Sequence, residues 1–152
     1  MVLQKIPKRR FDHPCGSVAV VLADFHKAIA DGLLKGFEQE MKRYKGVKLQ
    51  VYRTTGAFEI PLLAQRLAKK KAADVIVALG CIVKGDTYHF ELIANECARG
   101  CMEVMLQESI PVVFEVLAVY GQKDAVERST VQQNHGILAA HAALEWLEKL
   151  NR

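Results

Sequence analysis

A turn made of Lys84-Gly85-Asp86-Thr87 comes shortly before His89, and these are the residue types of an anion site next to a proton carrier. Glycine lets the backbone turn tightly and approach a ligand. The first N–H groups of a helix lack partners inside it, so they bind phosphate readily. Imidazole donates and accepts protons near neutral pH. The stretch predicts phosphate binding beside a proton shuttle; the alternatives are helix capping by Asp86 or Thr87 and an ordinary surface histidine.

Three further segments have residue types that suit a small-molecule site. Backbone donors in Gly56–Glu59, together with the Glu59 carboxylate, can hold hydroxyl groups, although the helix dipole alone favours a first-turn carboxylate by about 0.3–1 kcal/mol. Phe25 can stack on a flat heterocycle or belong to the core. Arg128 can pair bidentately with phosphate or lie on the surface. Together they predict a polyol site, a ring platform and a phosphate site.

Four apolar, β-branched runs predict the strands that would position these residues. Three of the runs are almost continuously apolar, as in strands covered on both faces, whereas the second alternates and is predicted at an edge. Apolar residues at helical spacing separate the runs. The predicted strands are 18–22, 47–52, 74–79 and 111–117, and the predicted helices are 26–45, 57–71, 89–108, 124–129 and 134–150.

This alternation of strands and helices predicts a three-layer α/β/α sandwich around a four-stranded parallel sheet. Ligands of such sheets bind outside the carboxyl ends of the strands. The rule selects residues 24–26, 55–59, 80–89 and the segment after Leu117, which include every candidate above. We therefore expect these candidates to share one hollow at one edge of the sheet.

The 152 residues, 51% hydrophobic and 25% charged, have the length and balance of one globular domain. We expect a single domain over residues 1–152, with 1–16 as an N-terminal arm. No stretch is apolar for long enough to cross a bilayer, and the N-terminus lacks a signal peptide. The four cysteines form no C-x-x-C pair, which argues against zinc. A cytoplasmic protein with no metal site and no membrane partner is predicted.

The net charge of +4 is a mild excess, and the densest basic run is Lys8-Arg9-Arg10. Aromatic residues do not alternate with this run as they do in single-strand binders. The run is interpreted as an exposed basic tail, and no nucleic-acid partner is predicted.

The motifs resemble the 6,7-dimethyl-8-ribityllumazine synthase family from Val18 to Leu150. The most specific are Gly56-Ala57-Phe58-Glu59-Ile60-Pro61 and the run from Leu79 to Phe90, with support from Pro111–Phe114 and Ala125–Arg128. The resemblance implies a flavodoxin-like fold and a cofactor-independent transferase of riboflavin biosynthesis. Such an enzyme condenses 5-amino-6-ribitylaminouracil with 3,4-dihydroxy-2-butanone 4-phosphate to the lumazine, phosphate and water.

The resemblance also implies three groups of substrate contacts. The first group stacks on or borders the pyrimidine, the second holds the ribityl chain, and the third receives the phosphate. In that order the groups are Phe25 with the backbone of Cys81, Ile82 and Val83; Ala57, Phe58 and Glu59; and Gly85, Asp86, Thr87 and Arg128.

Catalysis and assembly complete what the resemblance implies. His89 would move protons as a catalytic residue together with Arg128, and Phe114 would come from a neighbouring subunit of a homopentamer or a sixty-subunit icosahedral shell. The helix that begins at His89 independently suggests assembly, because a helix with one core face needs a narrower apolar stripe. Its apolar residues are Phe90, Leu92, Ile93, Cys97, Cys101, Met102, Val104, Met105 and Leu106.

Several residues near the expected phosphate and subunit contacts depart from the family pattern. The loop Ser129–Gly136 is one residue shorter than usual, and His135 stands where a lysine is common. Glu115 replaces a usual glycine, and Ala118-Val119 replace two usual threonines. Two alternatives to the synthase stay open: a non-catalytic flavin-binding or shell-forming paralogue on the same scaffold, and a riboflavin synthase that acts on lumazine itself.

Overall fold

The computed structural model describes residues 5–151. These residues form four strands and five helices; strands and helices alternate up to the fourth helix, which the fifth helix follows directly, and a short 3-10 turn precedes the second helix. The strands are β1 (Gly16–Ala23), β2 (Val47–Thr54), β3 (Val75–Val83) and β4 (Val112–Val119); the helices are α1 (Lys27–Met41), α2 (Ile60–Lys69), α3 (His89–Glu108), α4 (Gln122–Arg128) and α5 (His135–Leu150), and the 3-10 turn spans Ala57–Glu59.

All strands of the sheet are parallel and lie in the order β2-β1-β3-β4. The predicted α/β sandwich with a four-stranded parallel sheet is confirmed. The alternating strand β2 lies at an edge, as its pattern indicated, while β1 and β3 lie at the centre.

Helices cover the two faces of the sheet as separate layers. Along β1, Val18, Val20 and Leu22 pack toward α1 and α5, whereas the alternate residues pack toward α2 and α3. These three side chains are at most 1% exposed, and burying each one contributes roughly 1.5–3 kcal/mol. Burial on both faces explains why the central strands are almost continuously apolar.

Strand β4 is the second edge of the sheet, and its outer part is uncovered. Phe114 is 40% exposed, and Ala118, on the same face, is exposed as well. The interpretation of 111–117 as a strand covered on both faces is therefore wrong within one chain, because α3 does not reach these two positions.

Most element boundaries lie within three residues of the predicted ones, but two differ by four residues. Helix α1 ends at Met41 instead of residue 45, because the chain tightens into a turn in which the Tyr44 N–H donates to the Met41 carbonyl. Strand β3 continues to Val83, beyond the predicted end at residue 79. The longer β3 carries Cys81, Ile82 and Val83 to the end of the sheet where the predicted site lies.

Residues 5–15 form neither helix nor strand, but part of this segment is anchored. Phe11 is buried against Tyr44 and His141, and Arg9 pairs with Glu145 at 3.3 Å. The basic residues of the expected tail are thus exposed, but the segment is anchored to the fold at Arg9 and Phe11. The start of the predicted arm, residues 1–4, lies outside the described residues. None of the helices described is long and apolar enough to cross a membrane.

Candidate active site

A cleft of about 800 Å³ opens at the carboxyl ends of β1 and β3, on the α2 and α3 side of the sheet. This volume suits a ligand with one or two rings. In open parallel sheets, ligands bind at this position, outside the carboxyl ends of the strands. Its lining consists of Phe25, His26, Thr55, Gly56, Ala57, Phe58, Glu59, Cys81, Ile82, Val83, Gly85, Thr87, His89, Phe90, Leu92, Ile93 and Glu96.

Two phenylalanines line this cleft with most of their surface uncovered. Phe25, between β1 and α1, is 74% exposed, and Phe58, in the 3-10 turn, is 58% exposed. The alternative that Phe25 belongs to the core is therefore wrong. An exposed aromatic ring at a cleft offers a flat apolar face on which a heterocycle can stack.

Glu59 has a structural role and also faces the cleft. Its Oε2 accepts a hydrogen bond of 3.1 Å from the Gly56 N–H, as a first-turn carboxylate is expected to do. The side chain is exposed at the cleft, and a carboxylate has about four acceptor sites. One backbone contact therefore leaves Glu59 able to accept from ligand hydroxyl groups.

The loop before α3 is not closed by a conventional helix cap. Tyr88 occupies the N-cap position without a side-chain hydrogen bond, and Thr87 Oγ1 accepts only a long bond of 3.5 Å from the His89 N–H. Capping by Asp86, one alternative for this loop, is not observed. The first turn of α3 thus keeps N–H groups that can face an anion.

Gly85 is predicted to allow a tight turn in this loop, but the structure gives it a different role. Its φ is not in the left-handed region, so the tight-turn argument for glycine is wrong. A Cβ built at Gly85 meets no atom within 4 Å, which means that packing does not demand glycine either. The missing side chain leaves open space at the cleft.

Lys84 and Glu91 form an ion pair beside the same loop. Their Nζ and Oε1 atoms are 3.2 Å apart, and Lys84 Nζ also lies 5.4 Å from the centre of the Tyr120 ring. The backbone N–H of Glu91, and after it Lys84, hold the pKa of the Glu91 carboxyl below its usual value. Lys84 therefore contacts Glu91 and Tyr120 and does not line the cleft.

Two of the five histidines have rings that make no hydrogen bond or ion pair with any residue described, and both line the cleft. These are His26 and His89. The other three rings have carboxylate partners: Asp12 for His13, Glu115 for His135 and Glu40 for His141. An imidazole without an internal partner at a cleft can exchange a proton with a ligand.

Cys81 forms part of the cleft wall as a neutral thiol. It is 5% exposed, and burial raises its pKa to about 11. A thiolate is the reactive form of cysteine, so this side chain is chemically quiet at neutral pH. Ile82 and Val83 continue the wall along β3.

Three candidate residues are not part of the cleft lining within one chain. Asp86 is exposed on the loop, and Phe114 lies on edge strand β4. Arg128 ends α4, which packs on the α1 side of the sheet, and its Nη1 donates to the Asp124 carbonyl at 3.0 Å. The expectation of one shared hollow therefore fails for Arg128 in a single chain, because α4 and the cleft lie on opposite faces of the sheet.

Some lining residues are not among the site residues predicted from the sequence, although Leu92 and Ile93 are among the apolar α3 residues that suggest assembly. His26 lies in the strand-tip segment 24–26, so its position was a usable signal. Leu92, Ile93 and Glu96 follow His89 at helical spacing and thus share its face of α3. Among the described residues no group of three or more histidine, cysteine or acidic side chains is arranged to hold a metal ion.

Comparison with known proteins identifies the family to which this site belongs. Residues 16–151 match the sequence profile of 6,7-dimethyl-8-ribityllumazine synthase. The chain belongs to this family. It is also similar to the 6,7-dimethyl-8-ribityllumazine synthase of Thermococcus onnurineus (strain NA1), with 38% identity over 129 residues that cover 85% of each chain. The resemblance suggested by the motifs is confirmed.

Two departures from the usual lumazine synthase pattern contact each other in this structure. Glu115 Oε1 and His135 Nδ1 are 2.7 Å apart, with 21% and 26% of their side chains exposed. The residues that stand in place of a usual glycine and a common lysine therefore form one bonded pair, between β4 and the first turn of α5.

Proposed function

We propose that this chain condenses 5-amino-6-ribitylaminouracil with 3,4-dihydroxy-2-butanone 4-phosphate to 6,7-dimethyl-8-ribityllumazine, the penultimate step of riboflavin biosynthesis. Membership of the family supports this reaction. The observation that carries the proposal to this chain is the His89 ring, which lines the cleft without an internal partner. A pure binding protein has no need of a free proton carrier in that place.

The cleft offers a suitable surface for each part of the two substrates. In the proposal, Phe25 stacks on the pyrimidine, whose edge lies along Cys81, Ile82 and Val83. The Ala57–Glu59 turn receives the ribityl hydroxyl groups. The Gly85–Thr87 loop, including Asp86 through its backbone, receives the phosphate at the uncapped first turn of α3.

The proposed chemistry needs alignment of the substrates and several proton transfers. The substrate amine attacks the ketone carbon, and loss of water gives an imine. The phosphate then leaves, and ring closure with loss of a second water gives the lumazine. His89 is placed to move protons in these steps, which need no resident cofactor.

We also propose that a neighbouring copy completes the site. Phe114 and Arg128 lie outside the cleft of their own chain, and Phe114 has an uncovered side chain on an edge strand. Leu62, Met102 and Leu106 are 64%, 50% and 71% exposed on the α2 and α3 layer. Apolar surface of this kind indicates a contact between copies. A homopentamer or an icosahedral shell would provide that contact.

We place the enzyme in the cytoplasm as part of the same proposal. The four cysteines are free thiols, and three of them are buried in the fold. Thiols that stay reduced suit the reducing conditions of that compartment.

A turnover assay with both substrates tests the proposal and separates it from the alternatives. Purified protein mixed with both substrates should produce lumazine fluorescence and equimolar phosphate. Lumazine supplied alone should stay unchanged, whereas a riboflavin synthase would consume it. A flavin-binding or shell-forming paralogue would bind riboflavin-like rings without any turnover, and that outcome would contradict the proposal.

A further inference from the structure

In the sequence, Phe25 and His26 of the cleft wall are flanked by two charged residues that belong to a network of ion pairs. Asp24 precedes them and Lys27 follows them, and both side chains are bonded within the network. Asp31, one turn into α1, and Arg53, near the end of β2, are the other two members. We call these four residues the Arg53 network.

Arg53 joins three separate segments of the chain. Its Nη1 lies 2.7 Å from Asp24 Oδ1 and 3.3 Å from Asp31 Oδ1, which its Nη2 also contacts at 3.3 Å. Lys27 Nζ contacts the other oxygen of Asp31 at 2.8 Å. The backbone adds one more link, since the Asp24 N–H donates to the Thr54 carbonyl at 2.9 Å. The segment that carries Phe25 and His26 is thus held at both of its ends.

The charged side chains of the network are still largely accessible to water. A hydrogen bond from Lys27, followed by the one from Arg53, holds the pKa of the Asp31 carboxyl below its usual value. Between 33% and 69% of each of the four side chains is exposed. Exposed ion pairs contribute little to the free energy of unfolding, so stability alone does not account for this arrangement.

A second, smaller hollow lies beside the network. It measures about 370 Å³, and its walls are Asp24, Phe25, Arg53, Thr54 and Thr55. Phe25 and Thr55 belong to this hollow and to the cleft alike. Loss of the Arg53 side chain would enlarge the space next to Phe25 and give its exposed ring more freedom.

We propose that the Arg53 network is a positioning device that fixes the Phe25–His26 wall of the cleft, with Arg53 as its central member. The proposal rests on the proposed function, because it assigns Phe25 to the pyrimidine of the ribitylaminouracil. Arg53 itself does not line the cleft. It acts through Phe25 and His26, and its loss disturbs the alignment of one substrate.

Steady-state kinetics of Arg53→Met tests this role. The KM for the ribitylaminouracil should rise about tenfold, as expected when a positioned contact is loosened. The KM for the butanone phosphate and the midpoint of thermal unfolding should stay close to those of the unchanged protein. Arg53→Lys, which retains one charged donor, should recover part of the lost affinity.

Arg43→Met is the matched control. Arg43 is 46% exposed, pairs with Glu40 at 2.7 Å, and lies beyond the end of α1 that is remote from the cleft. Its loss removes a comparable ion pair and should leave both KM values unchanged.

A double-mutant cycle with Phe25→Leu shows whether Arg53 acts through Phe25. If it does, adding Arg53→Met to Phe25→Leu should raise the KM for the ribitylaminouracil by less than about twofold. The proposal would be overturned if the effects of Arg53→Met and Phe25→Leu on this KM were fully additive. It would also be overturned if Arg53→Met alone raised both KM values and lowered kcat by the same factor.

Direct calorimetric titration keeps this test separate from the proposed reaction. If the unchanged protein turns over no substrate, the proposed function fails, yet it can still be titrated with the ribitylaminouracil. Weaker binding by Arg53→Met than by Arg43→Met then still supports the positioning role, and equal binding by the two variants contradicts it.

Discussion

At the scale of single residues, the partners of the five histidines divide them by function. Three rings are held by carboxylates, whereas His26 and His89 are left to the cleft.

His26→Ala should weaken binding of the ribitylaminouracil by about three- to tenfold, since one hydrogen bond contributes about 0.5–1.5 kcal/mol. Titration calorimetry measures the change. The control is His13→Ala, because His13 is 99% exposed and pairs with its neighbour Asp12. Equal affinities for the two variants would show that His26 does not contact the ligand.

The Cys81 thiol gives a prediction about pH. Burial raises its pKa to about 11 from 9.0, so the unfolded chain ionises at a lower pH than the folded one. The stability that Cys81 contributes is present below pH 9 and is lost as the pH rises toward 11. Denaturant unfolding between pH 8 and 11 should therefore show a steeper loss for the unchanged protein than for Cys81→Ala. Parallel curves would contradict the assigned burial effect.

The sequence indicates which residue types form the site, but it does not show the structural role of each residue. Lys84–Thr87 was predicted as an anion loop, yet Gly85 is neither strained nor crowded, and neither fact is encoded in a local pattern. The position of His26 at a strand tip can be inferred from the sequence, but that its ring lacks a partner can be recognised only when its neighbours are known. Glu115 and His135 were each identified as departures, but their contact depends on how β4 meets α5.

At the scale of elements, Asn134 joins α1, α4 and α5. Its side chain accepts from the Gly136 N–H at 2.8 Å and donates to the carbonyls of Gly32 and Ser129 at 2.7 and 3.2 Å. Glycine is needed where the helices meet, because a Cβ on Gly136 would come within 1.9 Å of the Leu33 carbonyl oxygen. The junction fixes how α5 lies against α1.

Asn134→Ala should destabilise the fold by about 2–4 kcal/mol, since it removes a helix cap and two further side-chain hydrogen bonds. Chemical denaturation measures the free energy of unfolding. Gln132→Ala, an exposed change in the same loop, should have almost no effect. A similar stability for the two variants would contradict the role given to Asn134.

The elements themselves could be predicted because periodic burial is written into the sequence. Strands β1 and β3 are apolar throughout since both faces are covered, and β2 alternates since it is an edge. For strand β4 the prediction of burial on both faces is wrong. Its apolar run resembles that of a central strand, although Phe114 and Ala118 are uncovered in one chain.

At the scale of the whole molecule, the cleft and the helix that ends at Arg128 lie on opposite faces of the sheet, and Arg128 is not part of the cleft lining of its own chain. A site that needs both must draw on two copies, so defective chains should be able to complement each other. Symmetric assemblies place the same pair of surfaces at every contact.

Refolding an equal mixture of His89→Asn and Arg128→Ala chains should restore activity. By random pairing, about a quarter of the clefts receive His89 from one chain and Arg128 from its neighbour. Each variant refolded alone should stay nearly inactive. A mixture no more active than the mean of the two would show that Arg128 does not serve a neighbouring cleft.

The rate of the chemical step with and without the His89 imidazole tests the proposed reaction most directly. Both substrates are supplied at saturation, and lumazine formation is followed by fluorescence for the unchanged protein and for His89→Asn. We expect kcat to fall about a hundredfold or more, since general acid–base catalysis contributes 10²–10⁴-fold, while both KM values change little. An unchanged kcat would contradict the assignment of proton transfer to this cleft.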